Sequence, residues 1–432
     1  MHFHIGTLTK NEQTVTETYA VDETIHFDPS SITPYTGTIS PAMRKALEIG
    51  SLCNNASLLR NEDGVFVGQS TDVALLNVLS VAGISDRRNV RFPEKVLKCS
   101  GSDLVQGFKR LSEKPFNSEQ KYMAVSGIHA DATSPSSTMN GTVVNSAARE
   151  MYYIKGSIDF ILDRCKFYYV NEDSTPGLDA CARKAILAKA QSTAARGLRV
   201  IAMAYGYGPV GSTSNVDTLT GGHVNGNTPV GLQSGVVSRA VSPAPNSSSP
   251  FTSSVTGEKE RDNLVFVGFA AMFDPPRKGV ADSVGLLQAS GVHVVMITGD
   301  AEQTAVSIAK DLGLRVGKAQ SIGSEAVRYT GVLTGPTIDT LTSSQLSELC
   351  SSTSVFARAT PKHKMRIVEA FQNRGFVVGM TGDGVNDAPA LKMADIGLSM
   401  GKSGTDVAKE AADCILVDDA FETILFAVEE GE

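Results

Sequence analysis

From residue 265 onward the chain repeats one pattern: a short apolar run, then a stretch with helical spacing. The runs are VFVGFAAMFD (265–274), VHVVMITGD (292–300), SVFARAT (354–360), FVVGMTGDG (376–384) and DCILVDD (413–419). Between them Val280, Val284 and Leu287 fall on one helical face, as do Ala305, Ile308 and Leu312, after which Gly313 is placed to stop the helix. KMRIVEAFQNRG (364–375) and DAPALKMADIG (387–397) continue the alternation. Near-continuous Val, Ile and Met strands joined by helical crossovers predict an α/β fold with a parallel sheet covered on both faces. Ligands of such sheets sit at the carboxyl ends of the strands. Two of the runs end there in the same three residues, Thr-Gly-Asp, at 298–300 and 381–383.

The longer of these motifs is TGDGVNDAPAL (381–391). Asp383 and Asp387 are four apart with Asn386 between them. A carboxylate at a strand end suits a hard cation such as Mg2+, which takes oxygen ligands, and Asn386 can donate to a phosphoryl oxygen. An ordinary Asp/Asn/Gly turn uses the same residue types, but the length of the ordered string favours function. At 298–300, Asp300 is placed to cap the following helix, with Gln303 completing a capping box. The Thr298 hydroxyl, Gly299 and the N–H groups of that helix start form an anion or phosphate site. FARATPKHKMRIV (356–368) sets Lys364 on the first helical turn after Pro361. A fixed ammonium there stabilises transferring phosphoryl charge, whereas a lone lysine is more often solvated.

The region from about 17 to 263 is less regular and reads as a mixed α+β domain. Residues 128–148 are rich in Ser, Thr, Asn and Ala and residues 206–260 in Gly, Ser, Pro, Asn and Thr, compositions expected for long surface loops. Net charge is −7, which argues against a nucleic-acid partner. No run approaches about 18 apolar residues, the length that spans a bilayer, and the N-terminus lacks the pattern of a signal peptide. The six cysteines form no CxxC pair, so reduced thiols are expected rather than a disulfide framework or a zinc site.

Together the three motifs resemble the haloacid-dehalogenase superfamily, and the longer strings are similar to P-type ATPases. These are GTLTKNEQTV (6–15), MFDPPRKGV (272–280), MITGDAEQTAVSIAKDLGL (296–314) and MTGDGVNDAPALKMADIGLSMGKSGTDVAKEAADCILVDD (380–419). KNEQTV, PFNSEQKYM (115–123) and FETILFAVEEGE (421–432) look most like the secretory-pathway (Golgi) calcium/manganese pumps. The resemblance covers nearly the whole chain apart from the low-complexity inserts. It implies a haloacid-dehalogenase-like Rossmannoid parallel sheet, the phosphorylation domain, with an inserted α+β nucleotide-binding domain. The implied boundaries are 1–16 for the start of the phosphorylation domain, 17–263 for the nucleotide-binding domain and 264–432 for the rest of the phosphorylation domain. DPPR (274–277) resembles the hinge between them, stiffened by two prolines.

The resemblance also implies ATP and Mg2+ as cofactors and assigns residues to them. Asp383 would ligate Mg2+, and Thr298, Lys364, Asn386 and Asp387 would serve the phosphoryl group together with Gly299, Asp300 and Arg358. Phe116 would stack on adenine, Asp72 would take the place of an acidic nucleotide contact, and Ser118, Lys121, Lys155 and Arg199 would complete the ATP site. The implied partners are the membrane and actuator domains of a parent pump at the Golgi membrane. The chain alone is expected to be soluble and on the cytoplasmic side.

One departure is chemical. P-type pumps phosphorylate the Asp of DKTGTLT, and aligning GTLTKNE on Gly6–Glu12 puts Phe3 at that Asp, His4 at the Lys and Ile5 at the Thr. The family's apolar strand before DKTG would lie before residue 1, so the chain is expected to be truncated at its N-terminus, with MHFHI replacing part of a central strand. Two readings follow: the cytoplasmic catalytic portion of a calcium-transporting pump that no longer forms an aspartyl phosphate, or a soluble nucleotide-binding fragment without turnover. A soluble phosphatase of the haloacid-dehalogenase type is disfavoured by Phe3, because Asp22 and Asp28 lack the following Thr-Gly context.

Overall fold

A computed structural model describes residues 2–4, 8–21, 23–28, 35–57, 67–84, 107–129, 150–210, 262–317, 319–322, 326–329 and 331–425. Most of both low-complexity stretches, 130–148 and 211–260, lies outside the described residues. The described parts of Met1–Val210 and Asp262–Glu432 form one compact unit built on two sheets.

The first sheet gathers β1 (His2–His4), β10 (Val295–Ile297), β13 (Val332–Thr334), β14 (Val355–Ala357), β15 (Gly379–Gly382), β16 (Ile396–Met400) and β17 (Cys414–Leu416). Its order is β13-β14-β10-β1-β15-β16-β17 and every pairing is parallel. The centre is not left empty. His2, Phe3 and His4 pair with Val295, Met296 and Ile297 on one side, and His2 pairs with Met380 on the other.

The second sheet is antiparallel apart from one pair. It is made of β2 (Thr14–Ala20), β3 (Glu23–His26), β4 (Phe108–Asn117), β5 (Tyr122–His129), β6 (Met151–Gly156), β7 (Cys165–Tyr168), β8 (Arg199–Tyr207) and β9 (Leu264–Phe273). The order is β3-β2-β9-β8-β6-β5-β4, with β7 beside β9. A separate hairpin joins β11 (Ala319–Ile322) to β12 (Ala326–Tyr329).

Both sheets are covered on both faces. Helices α1 (Pro41–Leu52) and α2 (Ser70–Val81) put Met43, Leu47, Leu75 and Leu79 against Val125, Tyr153, Met203 and Val267 of the antiparallel sheet. On its other face α3 (Ile158–Asp163) and α4 (Ala180–Ala194) bring Ile161 and Ile186 to Tyr152, Ile154, Phe266 and Phe269. Adjacent residues such as Tyr152 and Tyr153 serve opposite cores, as the period-two pleat requires. The parallel sheet packs α5 (Val280–Ala289) and α6 (Glu302–Asp311) on one side. On the other lie α7 (Gly335–Thr340), α8 (Ser343–Cys350), α9 (Pro361–Gln372), α10 (Ala388–Met393) and α11 (Asp406–Ala411). The predicted face of Val280, Val284 and Leu287 is buried, and Gly313 ends α6 with φ of 74°.

One strand assignment is corrected. The run at 265–274 was expected to open the parallel sheet. It forms β9, paired antiparallel with β2 and β8. Because both faces of the antiparallel sheet are covered, β9 is buried along nearly its whole length and lacks the polar alternation that marks a half-exposed strand. No helix among the described residues is long and apolar enough to cross a membrane. Of the cysteines, Cys53, Cys165 and Cys350 are buried free thiols, and Cys181 and Cys414 are exposed ones.

Candidate functional site

Parallel strands point their carboxyl ends the same way, so β10 and β15, flanking β1, present Thr298–Asp300 and Asp383 on one edge of the sheet. Lys364 reaches this edge from α9. Thr360 caps that helix by accepting the His363 N–H at 3.4 Å, while His363 Nδ1 accepts the Thr360 N–H at 3.1 Å. Pro361 starts the first turn. His363 is buried and its Nε2 lies 2.9 Å from Asp339. The helix start that carries Lys364 is therefore fixed from both sides.

The Lys364 ammonium is not solvated. It is 3% exposed and bonded to Asp387, which is 1% exposed. The second oxygen of Asp387 accepts the N–H groups of Asp383 at 3.3 Å and Gly384 at 3.0 Å. Gly382 is required beside it, since a Cβ there would stand 2.5 Å from that of Asp387. The Thr405 N–H donates to the Asp383 carbonyl at 2.8 Å. The TGDGVND loop is thus wrapped around a buried ion pair, with the Asp383 side chain half-buried at its rim and Asn386 exposed.

At the other motif Thr298 is buried, and its hydroxyl accepts the Asp300 N–H at 3.0 Å. The expected Asp300 cap with Gln303 is corrected: α6 begins at Glu302 with Ala301 as its N-cap, and no side chain caps it. The Asp300 carboxylate turns instead to Arg199 of β8, with Nε at 2.8 Å and Nη2 at 2.7 Å. A two-pronged guanidinium contact outcompetes one backbone N–H, and Asp300 holds the Arg199 guanidinium above its ordinary pKa.

Arg358 has a left-handed backbone, φ 52°, and its N–H donates to the Asp300 carbonyl at 2.8 Å. Its guanidinium bonds to Asp159 of α3, and its carbonyl lies 3.5 Å from Lys121 Nζ. Burial, then the nearby Arg358 charge, depresses the Lys121 ammonium below its ordinary pKa. Arg199, Asp300, Arg358 and Lys121 are thus brought together where the two sheets meet. Asp159 joins them and was missed by the sequence reading, since a contact spanning 199 positions leaves no local signal.

Asp72 and Lys155 form a second group. Asp72 lies in the first turn of α2 and Lys155 on β6, both buried and bonded to each other. Phe116 on β4 is 53% exposed, and Ser118 lies in the turn between β4 and β5. A Cβ at Gly156 would stand 2.4 Å from the Lys121 carbonyl, so glycine lets that turn close onto β6. The structure therefore sorts the predicted residues into three groups, the Lys364–Asp387 loop, the Arg199–Asp300–Arg358–Lys121 cluster and the Asp72–Lys155 pair, with Phe116 and Ser118 on the adjoining hairpin.

Asp274, the first residue of DPPR, is a further group. Oδ2 accepts the Thr9 hydroxyl at 2.8 Å, while Oδ1 is buried with no hydrogen-bond partner. Burial pushes its carboxyl above the ordinary aspartate value, and the Thr9 bond offsets only part of this. A folded-state value raised in this way gives stability that is present at pH below the unfolded value and is lost as pH rises through the folded one. Asp274→Asn is expected to remove that slope and to raise stability at neutral pH by about 1 kcal/mol. Urea unfolding at acid and neutral pH measures both.

The donors present fit a nucleotide and Mg2+. Among the described residues no group of three or more His, Cys, Asp or Glu side chains could hold a metal ion. Mg2+ is commonly held by one or two carboxylates with substrate phosphates and water supplying the rest, and the half-buried Asp383 suits that arrangement.

A sequence model of the P-type ATPase cytoplasmic domain N matches residues 42–279, and one of the haloacid dehalogenase-like hydrolases matches 251–395. Calcium-transporting ATPase 1 of Yarrowia lipolytica is 34% identical over 99% of this chain and 38% of its own length. The protein of the same name from Schizosaccharomyces pombe is 36% identical over the same shares. Human calcium-transporting ATPase type 2C member 1 is 33% identical over 99% of this chain and 37% of its own length. The chain thus spans little over a third of these relatives. With the domain-N match alone covering more than half of its residues, the chain belongs to the P-type ATPase family.

Proposed function

We propose that this chain is the cytoplasmic nucleotide-binding and phosphorylation-domain portion of a calcium- or manganese-transporting P-type ATPase of the secretory pathway. The carrying observation is the strand-end site: Thr298, Asp383 and the Lys364–Asp387 pair share one edge of a parallel sheet, and Arg199 reaches Asp300 from the other sheet. The antiparallel sheet with α1–α4 is the proposed nucleotide domain, and the parallel sheet the phosphorylation domain. The partners proposed are the membrane and actuator domains of the parent pump, on the cytoplasmic side of the Golgi membrane.

Phe116 stacks on adenine, Asp72 and Lys155 bound the base pocket, and Ser118 lies at its mouth. Arg199, Lys121 and Arg358 face the phosphates. Thr298, Gly299, Asp300, Lys364 and Asn386 hold the γ-phosphoryl group, and Asp383 takes Mg2+. When bound, Mg2+ neutralises charge on the phosphate oxygens. The relatives' names, which specify calcium transport, support the choice of ion.

Adenine-nucleotide titration followed by NMR tests the site. Stacking on an aromatic ring contributes about 1–3 kcal/mol per base, so Phe116→Ala is expected to weaken ATP binding by at least about fivefold. An unchanged affinity would count against stacking at that ring. A second reading, binding without turnover, is favoured by one observation: Phe3, which has no carboxylate, lies on the central strand β1 between the two Thr-Gly-Asp ends.

A further inference from the structure

Asp72 is held from several sides. Lys155 takes Oδ1, and the Asn55 N–H donates to Oδ2 at 2.7 Å. The Asn54 side-chain amide donates to the carbonyls of Asp72 at 2.8 Å and Gly50 at 3.1 Å, and its oxygen accepts the Ala56 N–H at 2.9 Å. The turn after α1 is therefore built around the start of α2.

That turn has an outer brace. Arg110 on β4 donates from Nη2 to the carbonyls of Leu52 at 2.9 Å and Asn54 at 2.7 Å. Its Nη1 donates to Asn55 Oδ1 at 2.6 Å and to Glu113 at 2.7 Å. Glu113 also accepts from the Asn55 side chain at 3.0 Å. The β4–β5 register slips directly after Arg110, so the brace sits at an irregularity in the sheet. One planar guanidinium thereby fixes two carbonyls and a side-chain amide, which a lysine ammonium does less rigidly.

We infer that Arg110 is a positioning residue for base selection. It fixes the Leu52–Asn55 turn, the turn fixes the Asp72 carboxylate through the Asn55 N–H, and the carboxylate selects adenine over guanine. The inference rests on the nucleotide reading above. An ionised carboxylate only accepts hydrogen bonds. Adenine offers an exocyclic amino donor where guanine offers a carbonyl oxygen, which a fixed carboxylate repels. A site shaped to accept a hydrogen bond rejects the analogue that cannot donate it, provided the acceptor cannot turn away.

Calorimetric titration of the full chain with ATP and with GTP tests this, using Arg110→Ala and a matched control. Arg183→Ala removes a similar guanidinium that donates to the carbonyls of Leu162 at 2.6 Å and Cys165 at 3.0 Å. Arg110→Ala is expected to lower the ATP-to-GTP affinity ratio by about tenfold, the equivalent of one fixed hydrogen bond, and Arg183→Ala to leave the ratio unchanged. A folded Arg110→Ala protein with the ratio of the unmodified chain overturns the inference and leaves nucleotide binding intact. An unmodified chain that binds neither nucleotide overturns the nucleotide reading and this inference with it. If Arg110→Ala does not fold, Glu113→Gln carries the test: a smaller fall in the ratio supports the brace, and an unchanged ratio overturns it.

Discussion

After incubation with ATP labelled in the γ-phosphate and an acid quench, the chain is expected to carry no hydroxylamine-sensitive label. An aspartyl phosphate forms when a carboxylate oxygen attacks the γ-phosphorus and the bond to the bridging oxygen of ADP breaks. The attacking oxygen belongs at the carboxyl end of the central strand, between the two Thr-Gly-Asp ends. Here that strand is β1, with Phe3 beside Met296 and His4 beside Ile297. Neither residue has a carboxylate. Asp383 and Asp387 do not substitute, because the Asp387 carboxylate is committed to Lys364 and Asp383 follows the end of the neighbouring strand β15 rather than that of β1. The combined variant Phe3→Asp, His4→Lys and Ile5→Thr is the informative partner experiment, since it supplies the residues that the family carries there. A hydroxylamine-sensitive label on the unmodified chain would refute the loss of the nucleophile. The expected contrast is all-or-none, which makes it the largest effect predicted for this protein.

Much of the parallel sheet was legible in the sequence because its strands carry their own punctuation. Thr-Gly-Asp closes two of them, Gly313 stops α6, and Pro361 opens α9. Local chemistry of this kind survives folding because it is satisfied locally. The failures came where a distant partner won. Asp300 has the right type and spacing for a helix cap, but Arg199, 101 positions away, takes its carboxylate. The run at 265–274 has the composition of a parallel strand, yet burial on both faces arises equally in an antiparallel sheet clad by helices. Lys364 could be read as solvated or functional, and nothing in FARATPKHKMRIV announces that its ammonium is buried against Asp387.

The candidate site shows the same division. Motif residues at strand ends could be named from order alone, while the residues that position them could not. Arg110, Asn54 and Asn55 act on Asp72 through backbone carbonyls and N–H groups, and such contacts leave little mark on residue type. Asn54 is buried and satisfied by the Gly50 and Asp72 carbonyls, as a buried amide must be, whereas Asn55 is exposed, so the Asn-Asn pair announces neither role by residue type.

Lys364→Met is expected to destabilise the fold by about 3–5 kcal/mol, because it leaves the Asp387 carboxylate buried without its cation. The two backbone N–H bonds from Asp383 and Gly384, at 3.3 and 3.0 Å, remain, but neutral donors do not neutralise a charge that is 1% exposed. The loss also reaches the site. Asp387 is the post around which residues 382–384 turn, and without a stable carboxylate Asp383 loses its placement at the end of β15. Adding Asp387→Asn to Lys364→Met removes the orphaned charge and keeps an oxygen for the loop N–H groups. The double variant is therefore expected to recover more than half of the lost stability, the non-additivity that marks a coupled buried pair. Urea unfolding of the two single variants and the double one measures the coupling. A Lys364→Met cost below about 1 kcal/mol, the range of solvent-exposed ion pairs, would show that the pair is not what anchors the loop.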